Sequence, residues 1–99
     1  MEKEYYFRKA EEIIETAGLS DLLFVDRTAF GRLADKRVKV FLQPINRKLY
    51  ADKWKEAKER LLDLGEEKWA PGFDGEKITP FYIHGYLILN MKKEKGSYV

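Results

Sequence analysis

The only histidine of the chain, His84, lies between two tyrosines at a spacing that could support acid–base chemistry. Tyr82 and Tyr86 are each two residues away, so a regular strand would place all three side chains on one face. An imidazole beside two phenols can exchange protons or stack on a base, but general-base catalysis also needs a nucleophile or an orienting carboxylate. Two interpretations follow: a structural histidine held by a backbone group, which we favour, or a small nuclease or other hydrolase that uses His84 with a neighbouring Tyr and a carboxylate.

A second group of residues combines cations with an aromatic ring. Arg37, Lys39 and Phe41 alternate on one face of a predicted strand, and Arg47 and Lys48 follow shortly after it. Interleaved cations and aromatics are typical of surfaces that bind single strands or the nucleic-acid backbone. A solvated sheet face gives the same pattern, because lysine on an edge strand discourages aggregation. The sequence therefore predicts a patch that could bind nucleic acid, with a plain solvated face as the alternative.

Two large aromatic residues, Trp69 and Phe73, lie in a segment rich in Pro and Gly. Such residues either pack on the core as a lid or contact a protein partner, since aromatic side chains dominate the energetics of protein interfaces. Together with the basic patch, they make a small non-enzymatic binding module for a protein or nucleic-acid partner the leading functional hypothesis. Formation of a homodimer is compatible with either interpretation.

Metal and cofactor sites are not predicted. One His and no Cys leave only an all-carboxylate ligand set for a metal, and no Asp/Glu spacing resembles a calcium loop. The glycine patterns that bind nucleotide phosphates are also absent from the sequence. We therefore expect neither a metal nor a cofactor.

The length and composition indicate one domain. Ninety-nine residues, 44% of them hydrophobic, are enough for one core and too few for two. We expect a single α+β domain over residues 1–99, with residues 92–99 as a frayed tail. No apolar stretch reaches the roughly 20 residues of a membrane span, and the acidic N-terminus does not resemble a signal peptide, so we expect an intracellular protein. The net charge of +2 is too small for a protein that works mainly by neutralising many phosphates.

Two amphipathic helices are predicted. Between Glu2 and Ala17 the apolar residues recur on one helical stripe, and Gly18 supplies a left-handed stop. A second helix runs from Asn46, a suitable N-cap, to Leu64, where Gly65 is expected to end it.

The strands are predicted from alternation and apolar runs. Arg37–Gln43 alternates apolar with polar residues, and Phe81–Met91 is read as one central strand with a bulge at Gly85. The run 22–25 fits either a buried strand or a helical turn, and Thr28 could cap a short helix. We therefore expect a small antiparallel sheet of three or more strands packed against the two helices, with a mixed sheet as the alternative.

Uncharged polar residues are scarce: the chain has two Ser, three Thr, two Asn and one Gln. Together with abundant Glu and Lys and the lack of Cys, this bias is typical of hyperthermophiles. In length and overall character the chain resembles the small uncharacterised proteins of filamentous and rod-shaped viruses of hyperthermophilic archaea, the lipothrixvirus and rudivirus group. The resemblance implies a hyperthermostable protein of the host cytoplasm with a role in virus replication, regulation or host interaction. It implies no particular site residues.

Overall fold

The computed structural model describes residues 2–32, 37–66, 79–83 and 86–92, which form an α+β fold as predicted. Within these residues two helices and five strands follow one another: α1 (Glu2–Thr16), β1 (Leu23–Val25), β2 (Gly31–Arg32), β3 (Arg37–Pro44), α2 (Arg47–Glu66), β4 (Thr79–Ile83) and β5 (Tyr86–Lys92).

All five strands belong to one antiparallel sheet. The order is β1-β3-β5-β4, and β2 also pairs with β3. Because β5 occupies one edge of β3, β1 and β2 share the other edge, where Leu23 pairs with Pro44 and Gly31 with Lys39. They act as one interrupted edge strand. The antiparallel pairing of β3 with β5 excludes the mixed sheet that the sequence had left open.

The chain contains two halves of similar topology. In each half a helix is followed by an antiparallel pair of strands: α1 precedes β1/β2 and β3, and α2 precedes β4 and β5. The inner strands of the halves, β3 and β5, pair with each other in the middle of the sheet. Their core residues alternate in the same way and are almost completely buried: Val38, Val40 and Leu42 in β3, and Leu87, Leu89 and Met91 in β5.

The C-terminus of α1 follows the predicted glycine stop. Gly18 has a φ of 71° and donates its N–H to the Glu15 carbonyl at 3.0 Å, while the Leu19 N–H bonds to the Ile14 carbonyl at 2.9 Å. This pair of bonds is the Schellman motif, and Leu19 and Ile14, the two positions where the motif commonly has a hydrophobic contact, are both buried. The motif turns the chain from α1 toward β1.

Helix α2 starts as predicted but ends later. The Leu49 N–H donates to the Asn46 side-chain oxygen at 3.0 Å, so Asn46 is the N-cap. The expected stop at Gly65 is wrong, because the helix continues to Glu66. Glycine ends a helix when it takes the left-handed conformation, and among the described glycines only Gly18 does so. The apolar stripe of α2 faces the core through Tyr50, Ala57 and Leu61, with Trp54 partly buried beside them.

The expected single strand over Phe81–Met91 is wrong, because this stretch contains the two paired strands β4 and β5. Tyr82 pairs with Leu87, and Ile83 pairs with Tyr86. Only two residues separate the strands in the sequence, and Gly85, where a bulge is expected, lies outside the described residues. Two short apolar strands joined in this way look like one long apolar run in the sequence.

Three smaller expectations also changed. The run 22–25 is a strand over Leu23–Val25. Thr28 lies in a turn that precedes β2 and caps no described helix, because its N–H and hydroxyl both bond to Asp26. Lys92, expected in the tail, belongs to β5, while residues 33–36 and 93–99 lie outside the described residues.

Candidate nucleic-acid interface

The two faces of the sheet differ. One face carries the core residues and packs against both helices. No described helix packs on the other, here called the open face. Along β3 the two faces alternate, so Arg37, Lys39, Phe41 and Gln43 are partly exposed while the residues between them are buried. The strand register adds neighbours to the open face: Phe24 and Gly31 from the β1/β2 edge, and Ile88 and Asn90 from β5.

Aromatic and apolar side chains form the middle of the open face. Phe41 of β3 pairs with Ile88 of β5, and Ile88 is only 5% exposed although it is not part of the main core cluster. Phe24 of β1 pairs with Gln43, the next open-face residue along β3, and is 48% exposed. The ring of Phe24 is therefore accessible to a ligand, and Phe41 lies close to it on the same face.

The predicted cations Arg37 and Lys39 lie on this face beside the aromatic residues. Lys39 pairs with Asn90 on one side and with Gly31 on the other. A Cβ added at Gly31 would lie 3.4 Å from the Lys39 Cβ, which is an ordinary van der Waals contact. Among the described residues Lys39 makes no ion pair, so its charge is available to a ligand.

One carboxylate, Asp26, lies at the edge of the open face. Its backbone N–H bonds to the Phe41 carbonyl at 2.8 Å. Its oxygens accept hydrogen bonds from the Thr28 N–H and hydroxyl and from the Gln43 amide, the last at 3.0 Å. These donors, first the Thr28 hydroxyl and then the Gln43 amide, lower the pKa of Asp26. Its charge is thus partly compensated within the protein, and the same bonds fix the position of Gln43.

Asn90 contributes an unusual polar group. Its side-chain oxygen is buried and accepts no hydrogen bond from the described residues. Asn90 pairs with Lys39, whose ammonium group is a strong donor. A buried acceptor without a donor costs about 1–3 kcal/mol of folding free energy. The stability of the fold therefore does not explain why an asparagine occupies position 90.

Arg47 and Lys48 lie in the first turn of α2, immediately after β3, and both are exposed. Neither makes an ion pair within the described part of the chain. The structure thus places them at the α2 end of β3, whereas Arg37 lies at the opposite end of the strand. Of the five residues of the predicted basic patch, Arg37, Lys39 and Phe41 thus lie on the open face, whereas Arg47 and Lys48 belong to α2.

Cations near α1 are arranged differently, because acidic residues pair with them. Arg27 bonds to Glu4 at 2.7 Å and to Glu11 at 3.0 Å, and its guanidinium lies over the Phe7 ring. The hydrogen bond from Arg27 is the main reason why the pKa of Glu4 is lowered. Further ion pairs join Arg8 to Glu4 and Lys9 to Glu12. Carboxylates thus compensate Arg8, Lys9 and Arg27, whereas Lys39 on the open face makes no ion pair with a described residue.

The predicted histidine cluster does not form as expected. Tyr82 and Tyr86 belong to different strands, and their pairing with Leu87 and Ile83 puts them at register positions on opposite faces of the sheet. The expectation that they share one face with His84 is therefore wrong, and the hydrolase interpretation loses its geometric premise. His84 itself lies outside the described residues, as do Trp69 and Phe73.

Phe24, Asp26 and Asn90 also belong to the open face or its edge, although the sequence does not predict them there. In the sequence Phe24 belongs to a short apolar run, whose faces cannot be assigned before its pairing partner is known. The Asp26-x-Thr28 spacing was a recognisable signal, since Asp side chains commonly bond to the backbone two residues later in turns.

The described residues contain no group of three or more His, Asp or Glu side chains arranged to hold a metal ion. None of the described helices has the length and apolar character needed to cross a membrane. Comparison of the chain with protein-family models, with curated proteins and with solved structures found no match. The geometry of the open face is therefore the main indication of what the protein binds.

Proposed function

We propose that this protein binds single-stranded nucleic acid on the open face of its sheet. The observation that carries the proposal is the placement of an exposed aromatic ring, Phe24, and of Phe41 on the same face as the unpaired cation Lys39. Aromatic side chains stack on bases whose faces are free, and cations contact the phosphates between those bases. A duplex hides its base faces, so the proposal favours unpaired strands.

The modest net charge of +2 agrees with this mode of binding. A protein that depends on phosphate contacts alone needs many unpaired cations, because each contact adds only a small, salt-sensitive contribution to affinity. Here a few cations are combined with aromatic rings, and stacking is much less sensitive to salt. We therefore expect weak to moderate affinity without strong sequence preference.

Fluorescence anisotropy with a labelled oligothymidylate tests the proposal. Phe24→Ala should lower the affinity about fivefold or more, because loss of a stacking contact costs about 1–3 kcal/mol per base. Lys39→Ala should lower it too and should reduce the salt slope by about 0.7, the value for one phosphate contact on a single strand. Matched controls are Leu62→Ala and Lys53→Ala, which remove an exposed apolar residue and a cation from α2. Equal losses in test and control variants would contradict the proposal.

A further variant separates base stacking from apolar docking of a protein. Phe24→Leu keeps an apolar side chain of similar size but removes the aromatic ring. A stacked base loses most of its contact with this variant, so its affinity should fall nearly as far as that of Phe24→Ala. If Phe24→Leu behaves like the parent protein, the open face binds a protein surface or a second copy of the chain, and the nucleic-acid proposal fails.

The biological setting comes from the resemblance and is part of the proposal. In a virus of a hyperthermophilic archaeon, a small single-strand binder would act inside the host cell during replication or regulation.

A further inference from the structure

Gln43 lies beside the exposed Phe24 ring of the open face. The two residues pair directly across the ladder of β1 and β3, and directly paired side chains lie on the same face with their Cβ atoms about 4.5–5.5 Å apart. Phe24 is 48% exposed, and Gln43 is half-buried. A base stacked on the Phe24 ring would therefore bring one of its polar edges within reach of the Gln43 amide.

A neighbouring carboxylate fixes the orientation of this amide. The Gln43 Nε2 donates to a carboxylate oxygen of Asp26 at 3.0 Å. Hydrogen bonds from Thr28 and Gln43 lower the pKa of Asp26, so this carboxyl group is ionised near neutral pH and can only accept hydrogen bonds. If the amide turned over, its carbonyl oxygen would face the carboxylate, and the two acceptors would repel each other. The Nε2 therefore stays on the Asp26 side.

The carbonyl oxygen of the Gln43 amide is left for a ligand. This Oε1 accepts no hydrogen bond from the described residues and, unlike the side-chain oxygen of Asn90, it is not buried. The nearby Asp26 carboxylate adds negative charge, which disfavours a ligand carbonyl at the same place. The fold thus holds an accessible acceptor in one orientation beside the Phe24 ring, where a hydrogen-bond donor of a base would fit.

We propose that Gln43 selects bases with an exocyclic amino group, which donates to its Oε1, and that Asp26 is the positioning residue that holds this amide. Cytosine and adenine carry such an amino group on their pairing edges. Thymine and uracil have one ring N–H there, flanked by two carbonyl oxygens that would approach the Gln43 oxygen and the Asp26 carboxylate. This inference rests on the proposed function and adds a preference among bases.

The test compares two oligonucleotides that differ only at this edge of the base, an oligodeoxycytidylate and an oligodeoxyuridylate of equal length. Binding is measured by fluorescence anisotropy in mildly alkaline buffer, in which cytosine is neutral. The parent protein should bind the cytidylate about three- to tenfold more tightly, which corresponds to the net contribution of one hydrogen bond. A difference of this size is compatible with the weak sequence preference of binding by stacking.

Two variants test the two residues separately. Gln43→Met keeps a side chain of similar length without the amide, so it should bind both oligonucleotides with similar affinity. Asp26→Asn can still accept from the Thr28 N–H, but its own amide can donate to the Gln43 Oε1. The Gln43 amide can then turn over, and the preference for the cytidylate should disappear or reverse. The control, Asp21→Asn, removes the same charge from an exposed turn before β1 and should keep the preference.

Equal affinity of the parent protein for both oligonucleotides, or tighter binding of the uridylate, would overturn the inference. A cytidylate preference that persists in Gln43→Met would also overturn it. So would an Asp26→Asn variant that keeps the preference, since a purely structural role of Asp26 lowers both affinities by the same factor. Failure of the proposed function is distinguishable, because the parent protein would then bind neither oligonucleotide, or Phe24→Ala would leave both affinities unchanged.

Discussion

Replacement of Gly18 by alanine should destabilise the protein by about 1 kcal/mol. Gly18 has a φ of 71°, and this left-handed backbone costs an L-residue about 1–2 kcal/mol. Alanine also restricts the unfolded chain, which offsets about 0.4–1 kcal/mol of that cost. Space is not the obstacle, since a Cβ would lie 3.4 Å from the terminal Nη1 of the flexible Arg60 side chain. The backbone alone is therefore responsible for the loss.

Urea denaturation and thermal melting measure this effect, and the melting midpoint should fall by about 4–8 °C. Gly31→Ala is the matched control, because Gly31 does not have a positive φ and an added Cβ would make only an ordinary contact with Lys39. That variant should be neutral or slightly stabilising. Gly18→Asn should cost less than Gly18→Ala, because Asn tolerates the left-handed conformation better. The reasoning is refuted if Gly18→Ala and Gly31→Ala have equal stability.

Three further predictions concern stability. Leu89→Ala should lower the free energy of unfolding by about 2–5 kcal/mol in urea titrations, because Leu89 is completely buried in the central strand β5. The folded-state pKa of Asp26 lies below its ordinary 3.8, so its stabilising contribution is complete above pH 3.8 and is lost as the pH falls through the lowered value. In the Asp26→Asn variant the melting midpoint should depend less on pH in this acidic range. An unchanged pH dependence would contradict the stabilising role of the Asp26 carboxylate. The composition predicts a midpoint above about 90 °C that falls only modestly in 1 M NaCl, whereas a midpoint of about 45–65 °C would remove the thermophile hypothesis.

Local signals explain the parts of the fold that the sequence predicted well. The stripe of α1, the stop at Gly18 and the cap at Asn46 each depend on residues within a few positions of one another. The strand around Val40 was equally clear, because alternation over seven residues is specific for a half-buried strand. Such features need no knowledge of the rest of the molecule.

The hairpin and the open face depended on distant pairing, which one sequence does not specify. Only the register with β3 brings Phe24 beside Gln43 and places Asn90 opposite Lys39. The apolar run 81–91 gave no sign of its division, since both halves have the composition of buried strands. In physical terms, the candidate site is assembled by contacts between residues far apart in sequence, and propensities do not report such contacts.

The alternation in β3 makes stability and binding experimentally separable. Val38, Val40 and Leu42 face the helices and carry the core, while Lys39 and Phe41 occupy the intervening positions on the open face. Substitution of Lys39 removes no core contact, so Lys39→Ala should leave the free energy of unfolding within about 0.5 kcal/mol of the parent value. A change in oligonucleotide affinity at this residue therefore reports on the open face. Because both helices lie on the opposite side, a ligand can occupy this face without displacing any described element of the fold.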